Sequence, residues 1–197
     1  GSVAASTPAR GSLEPRPTMA VHVGNIATQD GGLDGLVDEV RIERTARSTD
    51  WLAAAEANQR TPATFLTVGA VETGTWFDQG AWAYRKPVVV DSSLVPADVF
   101  DFPLLVEVTD AALQASAQAC ACDLVFTGAD GTTRLDHAIE AYDSGSGALT
   151  AWVSVPVLSG TEDTQLFLYY GNPTAVDQQD PSAVFGSDAD LQILGAP

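Results

Sequence analysis

The chain has 197 residues, of which 26 are acidic and 9 are basic, so its formal net charge is −17. A surface this acidic repels nucleic acid and anionic lipid, which excludes both as expected partners. The hydrophobic fraction of 45% suits a globular core, and no apolar run approaches the length of a transmembrane helix. We therefore expect a globular protein that does not insert into a membrane and that offers many carboxylates to Ca²⁺.

The first predicted elements are a linker and two short strands. Residues 1–17 are small, polar and proline-containing, which is typical of a linker inside a longer chain. Short strands are predicted over 19–24 and 36–42, with a Gly/Asp-rich loop between them. We expect these strands to pair with the later part of the chain as an extra layer, since unpaired edges would be an aggregation risk.

A helix is predicted next. Ser48 is a suitable N-cap for a helix over 49–58, where Ala, Leu and Glu favour that structure. The pair Thr61-Pro62 should end the helix, because the residue before a proline avoids the helical region. A strand-like run over 64–71 then leads to a Gly/Thr break at 72–75, where we place a domain boundary.

Several strand-like runs occupy the remainder of the chain. They cover residues 82–90, 99–108, 123–127, 133–142, 149–157 and 165–170. Turn residues separate the runs, and the Ala-rich stretch 110–119 is predicted to form a helix. Many short strands without βαβ alternation predict an all-β fold, an antiparallel, jelly-roll-like sandwich with one or two short helices.

Period-two alternation assigns the predicted core. The inward positions of two strands are Phe100, Phe102, Leu104, Val106 and Val108, and Leu149, Ala151, Val153, Val155 and Val157. The run that ends in Tyr169 and Tyr170 is apolar on both faces, which is typical of a buried central strand. Both tyrosines are therefore predicted to be core residues.

The two cysteines, Cys120 and Cys122, lie two residues apart. In an extended chain that separation is too short for ordinary disulfide geometry. They form no CxxC redox motif, and the sequence has no matching Cys/His pair at zinc-site spacing. Their state, including pairing with another chain, stays open at this point.

Residues 35–42 (GLVDEVRI) and the following 45–52 (TARSTDWL) form a distinctive pair of motifs. They resemble the C-terminal end of bacterial laminin-G-like, concanavalin A-like jelly rolls, in which a G-x-[IV]-D-E-V-R-[IV] strand precedes a short helix that opens with Ser. The resemblance covers about 19–60. It implies that 18–72 is the C-terminal fragment of such a domain.

A second set of motifs follows in a consistent order. Its members are WAYRK (82–86), DFPLLV (101–106), DLVF (123–126), HAIE (137–140), AWV (151–153) and YYGNP (169–173). Order and spacing resemble the bacterial domain of unknown function 2341, with a departure at ACAC (119–122), where members more often carry a Gly-containing turn. The resemblance implies a β-sandwich over 76–176, without assigned catalytic residues, in a large secreted or envelope protein. Residues 177–197 are then a linker or the start of a next module.

Asp38 shares a predicted strand face with Val40 and Ile42. An inward carboxylate costs free energy unless it is hydrogen-bonded or binds a metal. In laminin-G-like domains this region can contribute to a structural calcium site, so the resemblance implies Asp38 as a Ca²⁺ ligand, with Asp30 and Asp34 as further candidates. The alternative is a carboxylate satisfied by backbone N–H groups or left in solvent.

Trp152 is the candidate binding residue of the run 149–157. It alternates with Thr150 and Ser154, opposite the apolar face, and so is predicted to point away from the core. A sugar ring stacks on an exposed aromatic platform, so these three residues are the predicted ligand-binding set. The alternative is that Trp152 packs under a loop or against a neighbouring domain.

No residue pattern indicates catalysis. His137 and Glu140 lie three apart in a predicted strand and should face opposite sides. The chain has two histidines and no Ser/Cys–His–acid set with a supporting motif. We therefore predict a protein that is not an enzyme.

The predicted function is a binding or adhesion module of a multidomain secreted or cell-surface bacterial protein. Its partners would be a glycan or cell-surface polymer and the neighbouring domains of the parent chain, in an extracellular, cell-surface or periplasmic location. A structural spacer domain is the first alternative. A fragment of a polysaccharide-active hydrolase is the second, because 26 acidic residues offer many carboxylate pairs.

Overall fold

The structure is a computed structural model that describes residues 46–75, 77 and 81–185. All of them belong to one compact unit of the chain, residues 42–191. The described residues contain nine strands in two antiparallel sheets, together with a few short helices. The predicted class, an all-β antiparallel sandwich, is confirmed.

The larger sheet contains six strands. They are β1 (Leu66–Val68), β2 (Glu72–Thr73), β3 (Tyr84–Val90), β5 (Val125–Thr127), β6 (Arg134–Leu135) and β9 (Thr164–Tyr170). Their order is β1–β3–β9–β5–β6, and β2 also pairs with β3. Strand β9 has a partner on each side, and Tyr169 and Tyr170 are fully buried. Their prediction as core residues of a central strand is confirmed.

The smaller sheet has the order β4–β8–β7, formed by β4 (Val99–Thr109), β8 (Ala148–Leu158) and β7 (His137–Asp143). The prediction of a single strand over 133–142 was wrong, because the chain passes from one sheet to the other within that run. Strands β6 and β7 therefore lie in different layers, with Asp136 between them.

Helix α1 (Thr49–Arg60) begins as predicted at Ser48, whose hydroxyl accepts a hydrogen bond from the Trp51 N–H at 3.1 Å. It extends two residues beyond the predicted end. Pro62 then starts a second short helix, α2 (Pro62–Phe65), because proline is well tolerated in a first helical turn. The predicted strand 64–71 is therefore reduced to β1.

Two further short helices follow β4 and β9. Helix α3 (Ala111–Ser116) confirms the helix predicted within 110–119, and Asp110 caps it by accepting the N–H groups of Ala112 and Leu113 at 2.8 and 3.1 Å. Helix α4 (Pro181–Phe185) lies against β7 and β8. Helix α3 buries Leu113 in the main core.

The main core lies between the two sheets and also includes residues that precede β1. Trp51 and Ala54 of α1 and Phe65 of α2 are buried in it, and the Trp51 ring lies 5.4 Å from that of Phe102. Strand β1 pairs with β3 at the edge of the larger sheet. The segment 49–68 is thus part of the same sandwich as the later strands.

The inward and outward faces exchange near one end of the smaller sheet. Asp101 has a φ of 50°, and the register of β4 on β8 places it opposite Pro156. On the far side of this point Phe100 is 58% exposed and Val157 is 42% exposed, although both were predicted to face inward. Those two predictions were wrong, because a left-handed residue rotates the strand and breaks the period-two alternation.

Both edge strands of the smaller sheet have intramolecular partners at particular positions. On β4, the side-chain amide of Asn58 donates to the Leu105 carbonyl at 3.0 Å and accepts from the Leu105 N–H at 2.7 Å. On β7, the Asp180 N–H donates to the His137 carbonyl at 3.0 Å, and Gln179 accepts from the Ile139 N–H. These contacts satisfy backbone groups that would otherwise be open to pairing with another chain.

Candidate functional site

Trp152 lies on the outer face of the smaller sheet, as its alternation predicted, but it is covered. Only 6% of the residue is exposed. It packs with Leu105 and Ala138, and α4 contributes Val184 and Phe185, whose ring centroid lies 5.7 Å from that of Trp152. The predicted exposed platform was wrong, because the segment after β9 turns back over the sheet and buries the ring.

The polar atom of the Trp152 ring is also satisfied. Its indole N–H donates to Glu140 Oε2 at 2.8 Å, next to an irregularity in the β7–β8 pairing between Ile139 and Ala141. The His137 ring is buried, and its centroid lies 5.5 Å from that of Phe126. Glu140 instead binds the Trp152 indole, so the two side chains have different neighbours.

Thr150 and Ser154 flank Trp152 and are both half-buried. In the sheet register Thr150 lies between Glu107 of β4 and Ala141 of β7. Ser154 lies opposite Pro103, and its N–H donates to the Asp136 carbonyl at 2.8 Å. Of the three predicted binding residues, Trp152 is covered and Ser154 is half-buried, whereas Thr150 lines a groove.

The groove that Thr150 lines has a volume of about 490 Å³ and opens to solvent. The lining residues are Ala63, Glu107, Val108, Thr109, Ala141, Tyr142, Asp143, Ala148, Leu149 and Thr150. Its polar groups come from both edge strands as well as from the central one. The groove thus combines carboxylate and hydroxyl groups with small apolar side chains.

The charge state of the groove follows from its hydrogen bonds. The Asp143 carboxylate accepts from Ser146 Oγ at 2.6 Å and from the Gly145 N–H at 2.8 Å, and these bonds lower the pKa of Asp143. Tyr142 donates its hydroxyl to the Leu113 carbonyl at 3.0 Å, and burial raises the pKa of that phenol. At neutral pH the groove therefore carries an ionised carboxylate beside a neutral phenol.

General acid chemistry has little support in the described ranges. Every carboxyl group there with a resolved shift has a lowered pKa, namely Asp91, Asp110, Asp130, Asp143 and Asp180. A carboxylic acid that donates a proton at neutral pH needs a raised pKa. The Asp143 carboxyl group of the groove, with its lowered pKa, does not meet that requirement.

The described residues contain neither a metal-binding cluster nor a membrane-spanning helix. No group of three or more His, Cys, Asp or Glu side chains among them is arranged to hold a metal ion. No helix among them is long and apolar enough to cross a membrane. Asp34 and Asp38 lie outside the described residues, so calcium binding there stays a prediction.

Asp123 is a buried carboxylate that the sequence analysis missed. It is 0% exposed, and its Oδ1 accepts the Gln118 N–H at 2.8 Å while Oδ2 accepts those of Gly171 and Asn172 at 2.7 and 3.1 Å. Gly171 has a φ of +84°, and a Cβ there would lie 2.5 Å from the Tyr84 ring. An acidic residue at the first position of the predicted strand-like run 123–127 was the signal that could have identified this structural anchor.

Lys86 is a second buried charge that alternation could have found. It alternates with Val88 and Val90, which face the core, and only 5% of it is exposed. Its Nζ lies 2.7 Å from Asp110 Oδ2 and 3.2 Å from the Gly69 carbonyl oxygen. A buried lysine needs such partners, because an unpaired charge in the interior is costly.

Cys120 and Cys122 are joined by a disulfide bond, with their Cα atoms 5.2 Å apart. The segment is not extended, because Ala121 has a φ of 57° and the backbone turns there, so the geometric objection does not apply to it. The left-handed residue lies in the ACAC stretch, the place where the resemblance implied a Gly-containing turn. Ala121 thus takes the backbone conformation that glycine adopts most easily.

The comparison with protein families covers the C-terminal half of the described sandwich. Residues 121–190 match the model of the Domain of unknown function (DUF2341). The DUF2341 match contains both Asp123 and Gly171, which are joined by the hydrogen bond from the Gly171 N–H to the buried Asp123 carboxylate. It also contains Thr150 and Trp152, which places the predicted binding residues within the matched region.

The DUF2341 match supports part of the resemblance proposed from the sequence. It begins at residue 121, so the earlier motifs at 82–86 and 101–106 lie outside it. The laminin-G-like resemblance of 19–60 stays a prediction. Searches of the curated proteins and of the solved structures gave no match to this chain.

Proposed function

We propose that the chain is a non-catalytic binding module of a multidomain secreted or cell-surface bacterial protein, with a glycan or cell-surface polymer as its ligand. The observation that carries this proposal is the open groove in which Thr150 lies beside Glu107 and near the ionised Asp143. We therefore place the ligand surface at the groove that Thr150 lines, and not at Trp152, which lies two residues further along β8.

A hydroxyl-rich ligand suits this groove for two reasons. Carboxylates such as Glu107 and Asp143 accept hydrogen bonds from sugar hydroxyls, and charge-assisted bonds are stronger than neutral ones. The small side chains of Ala63, Ala141 and Ala148 leave room for the apolar C–H face of a sugar ring. A net charge of −17 in turn disfavours an anionic polymer, so we expect a neutral or cationic glycan.

Binding rather than hydrolysis is supported by the electrostatics. A glycosidase pair needs one carboxylic acid that is protonated near neutral pH. The pKa of Asp143 is lowered by its bonds to Gly145 and Ser146, which keeps this carboxyl group ionised. An open groove also provides little exclusion of water from a reacting centre.

The proposal also concerns the segment before the described residues and the location of the protein. The laminin-G-like resemblance of 19–60 would extend into the sandwich through α1, and Asp34 and Asp38 would bind Ca²⁺ in the part that precedes the described residues. The acidic surface suits an extracellular, cell-surface or periplasmic location. Isothermal titration of the chain with Ca²⁺, compared with an Asp38→Asn variant, tests the calcium part separately.

A glycan array probed with the purified chain tests the groove directly. Thr150→Val and Glu107→Gln should each weaken binding at least about tenfold, because each removes a polar contact to the ligand. The matched controls Thr132→Val and Glu162→Gln alter exposed residues outside the groove and should leave binding unchanged. Equal loss in the control variants, or no loss in the groove variants, would overturn the groove as the ligand site.

A spacer domain is the second candidate, and the burial of Trp152 favours it. The sheet face around Trp152 is covered by Phe185, and both edges of that sheet have intramolecular partners. A domain that only positions its neighbours needs such closed surfaces. Absence of binding to every glycan on the array would support the spacer over the binding module.

A further inference from the structure

The disulfide between Cys120 and Cys122 lies in the turn between α3 and β5, at the protein surface. Cys120 is exposed and Cys122 is half-buried. The bond joins residues two positions apart and therefore closes a very short loop. In the chain-entropy account, the stabilisation from a disulfide decreases as the loop becomes shorter, so stabilisation alone gives little reason for this bond.

The backbone of the turn is held independently of the sulfur atoms. The Ala121 N–H donates to the Gln118 carbonyl at 2.9 Å, and the Leu124 N–H donates to the Ala121 carbonyl at 3.1 Å. The Gln118 N–H is bound at 2.8 Å by the buried carboxylate of Asp123. We expect these contacts to persist when the disulfide is broken, so the two thiols would stay within reach of each other.

The disulfide joins the two neighbours of Ala121, whose backbone conformation is strained. Its φ of 57° lies in the left-handed region, which a residue with a Cβ adopts at a cost. It is also 2% exposed, so packing as well as the disulfide holds it there. The hydrogen bonds of the turn and the packing of Ala121 hold this conformation in both redox forms, so the two thiols stay close enough to re-form the bond.

We propose that Cys120 and Cys122 form a reversible redox site that exchanges electrons with external thiols. Exposed or strained disulfides are the labile ones, whereas structural disulfides resist reduction. This activity is independent of the groove and of the proposed ligand. The substrate of this site would be a low-molecular-weight thiol or a protein dithiol.

The exchange proceeds in two balanced steps. An external thiolate attacks Cys120 Sγ, the more exposed sulfur, so that a mixed disulfide forms and Cys122 leaves as a thiolate that takes a proton from water. A second external thiolate then attacks the external sulfur of the mixed disulfide and releases Cys120. Two external thiols are oxidised to one disulfide, and their two electrons reduce the protein disulfide to two thiols.

Reduction without unfolding is the first test. The native chain is treated with dithiothreitol, quenched by alkylation at intervals and weighed by mass spectrometry, in parallel with the chain unfolded in urea. The native rate should lie within about tenfold of the unfolded rate, because access does not require opening of the fold. A native rate slower by about a thousandfold or more would show a protected structural bond and overturn the proposal.

The reverse reaction is the second part of that test. Oxidised glutathione added to the reduced native chain should restore the intramolecular bond, and the thermal midpoint should change by only a few degrees between the two forms. A reduced chain that unfolds, or that does not re-form the bond, would contradict reversible exchange.

Single variants distinguish the two sulfur atoms. Cys122→Ser leaves Cys120 as the remaining thiol, and Cys120→Ser is the matched variant that leaves the half-buried Cys122. Oxidised glutathione should add one glutathione to Cys120 several times faster than to Cys122. Equal or reversed rates would contradict Cys120 as the more accessible of the two cysteines, which is the ground for the attack on its sulfur.

Two reductants distinguish the two sources of thiol. A small thiol such as glutathione and a reduced protein dithiol of the thioredoxin type are supplied to the wild-type chain at equal thiol concentration. Faster reduction by glutathione assigns the site to small thiols, and faster reduction by the protein assigns it to a dithiol partner. Reduction by neither reagent while urea-unfolded protein reacts would overturn the proposal.

Discussion

The amide N–H of Gly171 donates a hydrogen bond of 2.7 Å to the buried Oδ2 of Asp123, across 48 residues of sequence. This contact joins the turn before β5 to the end of β9. The Trp82 indole N–H reaches the same place, donating to the Asp123 carbonyl at 2.7 Å. One acidic residue thus connects three separate segments of the larger sheet.

Asp123→Asn should destabilise the fold by ~3 kcal/mol, because an amide cannot satisfy three converging N–H donors as a carboxylate does. The free energy of unfolding in urea measures the loss. Asp130→Asn is the matched control, since Asp130 also accepts from three donors, two N–H groups and the Thr133 hydroxyl, but is fully exposed. Equal losses in both variants would contradict the importance of burial at Asp123.

Asn58→Ala should cost about 2 kcal/mol, because the Leu105 N–H and carbonyl then lose their partners on the edge of β4. The opened edge should also promote self-association, which size-exclusion chromatography measures as a function of concentration. The neighbouring Gln59→Ala, at a half-buried position, should change neither quantity appreciably. A monomeric Asn58→Ala variant with wild-type stability would show that this edge needs no cover.

The change of face at Asp101 predicts opposite outcomes for two phenylalanines in the same strand. Phe102→Ala should cost about 4 kcal/mol, because Phe102 is fully buried against Trp51 and Phe65. Phe100→Ala should change stability by no more than about 0.5 kcal/mol, since that side chain is mostly exposed. Urea unfolding of both variants gives the comparison, and similar costs would contradict the observed rotation of the strand.

His137 should make the stability depend on pH above the range in which carboxylates titrate. Burial lowers the pKa of His137 below its ordinary 6.5, although nearby Asp177 and Asp136 oppose the shift. The folded chain then binds a proton more weakly than the unfolded chain, so stability is fully present above pH 6.5 and falls as the pH decreases toward the folded-state pKa.

Urea unfolding of wild type and of His137→Leu between about pH 7 and pH 5 measures this contribution, whose slope is at most about 1.4 kcal/mol per pH unit. The variant should lose that slope. The carboxyl groups with lowered pKa values lose their stabilising effect only below their ordinary 3.8 and so do not interfere. An unchanged slope in the variant would assign the effect to other groups.

Sequence patterns predicted a helix start correctly where the contact that fixes it lies within a few residues of the chain. Ser48 was predicted as an N-cap, and the helix starts there because its hydroxyl meets an N–H three residues away. The Ala-rich helix after β4 was predicted for a similar reason, and Asp110 caps it within its own turn. Alternation also placed Trp152 on the outer face of its strand, because successive side chains must point to opposite sides.

Exposure was harder to predict, because it depends on residues distant in sequence. Trp152 is buried by Phe185, which follows it by more than thirty residues, and no pattern within β8 reveals that cover. The groove at Thr150 was missed for the same reason, since it needs Glu107 and Tyr142 from the two neighbouring strands. The disulfide of Cys120 depends on the backbone angle at Ala121, which composition does not specify.

The amino-acid sequence by itself determined the all-β class, most of the strands and which side chains alternate together, because these follow from turn residues and the two-residue period of a strand. Only the tertiary structure decided which faces are covered, where the strand faces exchange at Asp101 and which polar groups meet at Asp123. Burial is a property of surfaces brought together from distant parts of the chain, so it is settled when the sheets pack.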